Sequence, residues 1–289
     1  MEEKPDKNGR GMPGILSKLL HGFTASIYDG AECHASYEDS RGVGIRIEKL
    51  SKSFNGNSVL KEIDLEIRPG ETFSIIGPSG TGKSVLLKHI VKLEQPDSGR
   101  IFIDDHDIYN ADDRGQRDYR YSMVFQSSAL FNSLTVGENI GLWLREKRIC
   151  TEARIRRIIR DKLRLVGLEG KEEMMTSELS GGMRKRVAIA RSLAMNPDLI
   201  LYDEPTAELD PVTSDELARV IMNLREKVNL TTIIVSHDLN FALYLSDRVG
   251  MINEGRIVEV GTPAEIKASR NPVVRNFIYT TTKGLKGED

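Results

Sequence analysis

Cysteine is almost missing from this chain. Cys33 and Cys150 are the only two in 289 residues, and neither has metal-ligand spacing. A disulfide framework is therefore not expected, and a reducing compartment is. No stretch approaches the roughly 18 uninterrupted apolar residues of a transmembrane helix. The residues from Met1 to Asn8 lack the apolar core of a secretory signal. Both absences lead to the expectation of a protein on the cytoplasmic side. An excess of charge is also lacking: the formal net charge is −2, which by itself implies neither a nucleic-acid surface nor an anionic-membrane surface. There is no internal repeat and no low-complexity tract.

What is present, 39% hydrophobic and 29% charged residues, suits one large α/β domain or a domain carrying an inserted subdomain. The most informative stretch is Gly77, Pro78, Ser79, Gly80, Thr81, Gly82, Lys83 and Ser84. It follows the apolar run Thr72–Ile76, which reads as a buried strand, and leads into Val85–Ile90, which reads as a helix. Strand, glycine-rich turn and helix make G-x-x-x-x-G-K-[ST] a phosphate site. The glycines let backbone N–H groups point inward, and the helix N-terminus adds partial positive charge. Lys83 would reach the β- and γ-phosphates, and the Ser84 hydroxyl would ligate Mg²⁺. Average composition produces the pattern by chance in about one such chain in a hundred. The stretch predicts binding of a nucleoside triphosphate.

Along the chain, residues 1 to about 11 are polar and expected to be disordered. Ile15, Leu16, Leu19, Leu20 and Phe23 share one face of a helix predicted over Pro13–Phe23, which either packs on its own domain or docks to a partner or membrane surface. Asp29–Gly44 reads as a linker, closing an extension over residues 1–44. Ile45–Glu48 and Ile63–Ile67 alternate as half-buried antiparallel strands do. Arg100–Asp104 and Tyr121–Phe125 are strand-like. The period becomes helical from Thr135 to Gly167, with Ile155, Ile158, Ile159, Leu163 and Val166 on one stripe. This predicts a helical subdomain, about residues 127–190, inserted between two strands of the main sheet. Leu199–Asp203 and Thr231–Val235 are buried strands joined by a helix over Val212–Val228, implying a parallel sheet with helices on its faces. Arg248–Glu259 reads as a hairpin turning at Asn253–Gly255, a short helix follows from Pro263, and the tail over residues 269–289 is left unassigned.

The strand Leu199–Asp203 delivers Asp203 to the Mg²⁺ shell at the C-terminal edge of the sheet. Glu204 is placed to polarise the attacking water as general base. Glu178 to Arg186 precedes a strongly helical stretch that Ser180 can cap, and Gly181 and Gly182 expose free N–H groups. That makes a second anion site with no lysine or metal ligand of its own.

Gly77–Ser84, Leu179–Met183, Leu199–Glu204 and their order resemble the nucleotide-binding domains of ABC ATPases over roughly residues 45–268. The resemblance implies an α/β fold with a P-loop NTPase (RecA-like) core, an antiparallel β subdomain and an inserted α-helical subdomain. It implies ATP and Mg²⁺ as ligands, and a head-to-tail dimer in which Ser180, Gly181, Gly182 and Met183 meet ATP held by the partner's phosphate loop. By the same resemblance, Gln126 joins Ser84 and Asp203 at Mg²⁺ and relays nucleotide state to the helical subdomain. His237 contacts the γ-phosphate beside Glu204, Asp210 lies at the dimer interface, Phe54 stacks on adenine, and Val85 completes the phosphate site.

Met183 where most relatives carry glutamine, Tyr202 before Asp203, and Ala129–Val136 with Glu138 and Asn139 look like the ATPases that energise phospholipid trafficking with MCE-domain proteins. That implies a homodimer on the cytoplasmic face of the inner membrane, held there by an integral-membrane permease with an MCE-domain protein and, in some systems, a STAS-domain regulator. Ala129–Leu134 would lie near the groove that takes the permease. No nucleic-acid partner is expected. Polar-solute importers of the amino acid or phosphate type are the alternative, and soluble ABC proteins acting on ribosomes or DNA a more distant one. Glu208 and Thr176 depart from the family, which usually has glycine and often proline there. A side chain at 208 either slows dimer closure, if the backbone needs positive φ there, or is tolerated by the loop with no effect.

Overall fold

Alternating and continuous apolar runs build two different sheets. The computed structural model describes residues 41–110, 119–148 and 150–283. The expected N-terminal disorder, the Pro13–Phe23 helix and most of the Asp29–Gly44 linker lie outside the described residues. The first sheet is antiparallel, in the order β2 (Asn57–Ile67), β1 (Ile45–Phe54), β4 (Ser98–Ile103), β5 (His106–Asp107). Ile45, Ile47 and Leu50 of β1 are buried with Leu60, Ile63, Leu65 and Ile67 of β2. Their spacing lengthens by one residue at Lys49 and at Glu62, both at φ 47, where the register shifts. These bulges return the apolar side chains to the core face.

The second sheet runs β10 (Arg256–Gly261), β9 (Arg248–Asn253), β3 (Thr72–Ile76), β8 (Thr231–Val235), β7 (Leu199–Asp203), β6 (Tyr121–Val124). Its neighbours are parallel except at the β9–β10 hairpin. β3, β6, β7 and β8 are buried along their whole length, as strands covered on both faces must be. The hairpin turns at Glu254 (φ 47) and Gly255 (φ 79), the paired positive angles of a tight right-twisted turn. α1 (Lys83–Ile90) leaves the phosphate stretch after β3. The fold is α/β, a P-loop NTPase core with an antiparallel β subdomain and an α-helical insert.

The insert enters after β6 as α2 (Val136–Glu146) and α3 (Glu152–Leu165) and returns through α4 (Gly181–Leu193). Thr135 and Glu138 form a reciprocal capping box on α2, and Thr151 caps α3. Ile155, Ile158, Ile159, Leu163 and Val166 are buried together in the core of this region. Thr176 is buried, and its hydroxyl donates to the carbonyls of Phe131 (2.9 Å) and Leu134 (3.1 Å). Asn139 donates to the Phe131 carbonyl and accepts from the Phe131 N–H. The departure from proline at position 176 thus supplies a hydroxyl that ties down the 131–134 loop.

Cys150 corrects one expectation. It is disulfide-bonded rather than an isolated thiol, and no described cysteine is free. Cys33, the other cysteine, lies outside the described residues. The unassigned tail contains a helix. After α5 (Pro211–Lys227), α6 (Leu239–Leu245) and α7 (Pro263–Lys267), α8 spans Pro272–Lys283. Val274 of α8 is fully buried, with Phe277 and Ile278 packed around it. No described helix is long and apolar enough to cross a membrane.

Lys162 on α3 is buried and donates to Asn196 Oδ1 at 2.9 Å. Burial pushes its pKa down to about 7. Between that value and the ordinary 10.5 the unfolded chain binds a proton that the folded one does not. Stability therefore rises with pH across this window, by at most about 1.4 kcal/mol per pH unit from this group. Lys162→Met should flatten that rise in chemical denaturation series. An unchanged slope would rule Lys162 out as its source.

Candidate functional site

The phosphate stretch is held by backbone geometry that only glycine tolerates. Gly77 has φ 149, and a Cβ there would lie 2.1 Å from the Ile252 carbonyl oxygen of β9. Gly82 has φ 98, and a Cβ would meet Leu60 and Val59 of β2 at 2.8 and 3.0 Å. The loop is thus pinched between the two sheets. Gly77→Ala should destabilise the protein by about 2 kcal/mol or more, read as a lower Tm; a Tm equal to wild type would show that the loop relaxes freely.

Gly82 also caps α1 without a side-chain bond, so the helix offers its first N–H groups to an anion. Pro78, Ser79 and Gly80 form the exposed tip, and the Thr81 hydroxyl donates to the Pro78 carbonyl. Val85 is half-buried against the core beneath the antiparallel sheet.

Lys83 is buried, and its ammonium donates to the carbonyls of Gly77 (2.9 Å) and Pro78 (3.0 Å). Burial lowers its pKa, and the Glu204 and Asp203 carboxylates oppose that shift. The Ser84 hydroxyl donates to Asp203 Oδ1 at 2.7 Å. Asp203 ends β7 in a buried position, and burial raises its pKa against the Ser84 bond. A hydroxyl and a carboxylate side by side are hard oxygen donors that suit Mg²⁺. That ion commonly takes one or two protein oxygens and leaves the rest of its shell to phosphates and water.

Glu204 follows immediately, at φ 49, with its N–H donating to the Val235 carbonyl at the end of β8. This left-handed turn carries its side chain across the sheet edge. Glu204 Oε2 accepts the His237 N–H at 3.1 Å and lies 2.7 Å from His237 Nδ1. Its other oxygen, Oε1, is 3.9 Å from the Lys83 ammonium. One carboxylate oxygen is therefore engaged by His237 while the other faces the phosphate loop. The pairing of Val124 with Tyr202 brings Gln126, two residues past Val124, to the same edge of the sheet.

Phe54 ends β1 and is 38% exposed. A tight turn at Asn55 (φ 50) and Gly56 (φ 81) sets it near the β2 segment that abuts Gly82. The Lys52 ammonium lies 5.2 Å from the Phe54 ring centre, and ion pairs to Glu94 and Asp97 hold that ammonium in place.

The second glycine stretch lies elsewhere. Ser180 caps α4 by accepting the Met183 N–H at 3.3 Å. Gly181 is exposed, and Met183 packs against the helical core. A Cβ on Gly182 would lie 2.4 Å from Thr213 Cγ2 on α5. Asp210 caps α5 through Thr213, and those bonds hold its carboxyl below the usual range. Among the described residues no hydrogen bond or ion pair joins Ser180–Met183 to Gly77–Val85 within one chain. Glu208 sits at φ 66, so the positive φ that glycine would favour is adopted here by a residue with a side chain.

Two site-adjacent residues escaped the sequence: Lys185 and Arg191 of α4. Lys185 is buried and donates to the Gln126 carbonyl, and Arg191 donates to the carbonyls of Ala129 and Ser128. In sequence Lys185 belongs to a basic run that reads as the first turn of an ordinary capped helix, and Arg191 is a lone cation in that helix's last turn.

Comparisons with known proteins agree with this geometry. The family described as "ABC transporter" matches residues 60–207. A probable ribonucleotide transport ATP-binding protein of Mycobacterium leprae is 39% identical over 82% of this chain and 69% of its own length. A sulfate/thiosulfate import ATP-binding protein of Synechococcus elongatus is 40% identical over 82% of this chain and 68% of its own. Among solved structures, the dimeric post-hydrolysis state of the ATP-binding cassette MJ0796 with ADP and Pi is 32% identical. It has a TM-score of 0.67 and covers 76% of this chain and 98% of that one. CbiO1 from Clostridium perfringens, part of an ABC transporter complex, is 30% identical, with a TM-score of 0.71, over 83% of this chain and 96% of its own.

Proposed function

The chain belongs to the ABC transporter family as an ATP-binding, ATP-hydrolysing subunit, and from that premise we propose that it works as a homodimer driving phospholipid transport through a separate membrane permease. The observation that carries the chemistry is the convergence of Lys83, the Ser84–Asp203 pair and the Glu204–His237 pair on one edge of the sheet. Lys83 exchanges its two loop carbonyls for phosphate oxygens when ATP enters, joined by the free N–H groups at the start of α1. Ser84 and Asp203, with Gln126, would hold Mg²⁺, which would supply charge neutralisation for the bound phosphates. His237 occupies Glu204 Oε2, so Oε1 is the oxygen that takes a proton from the attacking water. Phe54 provides the stacking surface for the base. Ser180–Met183, not bonded to the phosphate loop of its own chain, closes on ATP held by a second copy, with Asp210 at that interface.

The substrate assignment is supported by Met183, Tyr202 and the Ala129–Val136 segment with Glu138 and Asn139. Their combination resembles ATPases that work with MCE-domain proteins and, in some systems, a STAS-domain regulator. The subunit then sits on the cytoplasmic face of the cell membrane, held by its permease. The 40% identity to a sulfate/thiosulfate importer subunit favours a second reading, a polar-solute importer. Affinity purification of Glu204→Gln protein from detergent-solubilised native membranes, with mass spectrometry of proteins and lipids, separates them. A permease with an MCE-domain protein and phospholipid is the expected result. A solute-importer permease would overturn the lipid assignment and leave the ATPase chemistry standing.

A further inference from the structure

The segment leaving β6 toward the helical insert is held by two cations of α4, Lys185 buried and Arg191 half-buried. Lys185, 4% exposed, donates to the Gln126 carbonyl. Arg191, further along α4, donates to the carbonyls of Ala129 at 2.7 Å and Ser128 at 3.0 Å. Ser128 and Ala129 both adopt left-handed backbone angles, φ 62 and 47, which non-glycine residues keep only where the surroundings enforce them. Withdrawing the Lys185 ammonium, and part of the Arg191 guanidinium, from water is costly. Burial draws the pKa of Arg191 down to about 10 and lowers that of Lys185, against the opposing pull of the Glu208 and Asp203 carboxylates. A plain connecting loop needs no such arrangement.

We propose that Lys185 and Arg191 are positioning residues, a two-cation strap that ties the helix beginning at Ser180 to the backbone of Gln126–Ala129, so that the placement of Gln126 at the metal site and the position of the Ser180 loop change together. The strap rests on the reading of Gln126 as a contact to Mg²⁺ and water.

The test is a double-mutant cycle in the full-length protein with Lys185→Met and Gln126→Ala, reading kcat, KM for ATP and the Mg²⁺ concentration for half-maximal hydrolysis. The expected result is a fall in kcat of about 10- to 100-fold for Lys185→Met, the scale of a misplaced catalytic contact. Its Mg²⁺ requirement should rise as it does in Gln126→Ala, with little change in KM. The double variant should be no slower than the slower single one, and Lys185→Arg, which keeps a buried cation, should recover part of the rate. Multiplying effects in the double variant, or a lower Tm with normal kcat in Lys185→Met, would overturn the strap. Normal hydrolysis and a normal Mg²⁺ requirement in Gln126→Ala would remove the underlying role of Gln126, and the strap with it. If Lys185→Met does not fold, Arg191→Lys, which replaces the two-nitrogen fork on Ser128 and Ala129 by a single ammonium, takes its place in the cycle. A double variant no slower than the slower single one then supports the strap, and multiplying effects overturn it.

Discussion

Glu204→Gln should bind ATP as wild type does and hydrolyse it about a thousandfold more slowly, within the range that a positioned general base contributes. The amide is nearly isosteric, so the turn at φ 49 and the N–H bond to Val235 are undisturbed. Its oxygen can still accept the His237 N–H that Oε2 accepts now. What disappears is the ability of the group facing Lys83 to take a proton. Removing a negative charge 3.9 Å from the Lys83 ammonium also frees that ammonium for phosphate, so affinity for ATP should not fall. The measurement is kcat by phosphate release beside nucleotide affinity by equilibrium binding. A variant that hydrolyses within a few-fold of wild type would mean that another group activates the water. Parallel loss of binding and turnover would mean that Glu204 shapes the pocket instead.

The difference between what was legible in the sequence and what was not follows the range of the interactions. Lys83, Ser84, Asp203 and Glu204 could be placed because a phosphate loop and a strand-borne carboxylate pair are local patterns: glycines where the backbone turns, apolar residues where the strand is buried. The parallel sheet and the helical insert follow from the same periodicities. Gln126 and His237 had no local signal beyond following a strand, and only the resemblance drew them in; the sheet register and the Glu204 bond now bring both to the edge where Asp203 lies. Lys185, Arg191 and Thr176 were out of reach for another reason. Each acts on carbonyls more than forty positions away, and a lysine in a basic helix start looks the same whether it ends in water or on a buried backbone oxygen. The bonded state of Cys150 and the α8 helix belong with them. The spacing of Val274, Phe277 and Ile278 does carry a helical signal, but a short one at a chain end.

Lys83→Met should lose what Glu204→Gln keeps. Without nucleotide, the ammonium of Lys83 is buried and satisfied only by two loop carbonyls, and its lowered pKa shows that the fold holds this charge at a cost. Methionine matches the length of the lysine stem and removes that cost; the bonds given up, to the Pro78 carbonyl at the exposed tip and the buried Gly77 carbonyl, oppose that gain by a comparable amount. The nucleotide-free variant should therefore melt close to wild type. The loss appears with ATP. Charge-assisted bonds to phosphate contribute about 1.5–3 kcal/mol each, so affinity should drop by about one to two orders of magnitude. Hydrolysis should fall further, because the same charge stabilises the transferring phosphoryl group. Thermal shift reads this directly. ATP at a hundred times the wild-type Kd stabilises a protein by about 2.7 kcal/mol, and that shift should be present in wild type and Glu204→Gln but cut to about 0.4–1.4 kcal/mol in Lys83→Met at the same ATP concentration. An equal ATP-induced shift in Lys83→Met would place the phosphates elsewhere than the Gly77–Ser84 loop. A large fall in the nucleotide-free Tm would mean that Lys83 is first a structural residue, locking the loop through Gly77 and Pro78, and a phosphate ligand second.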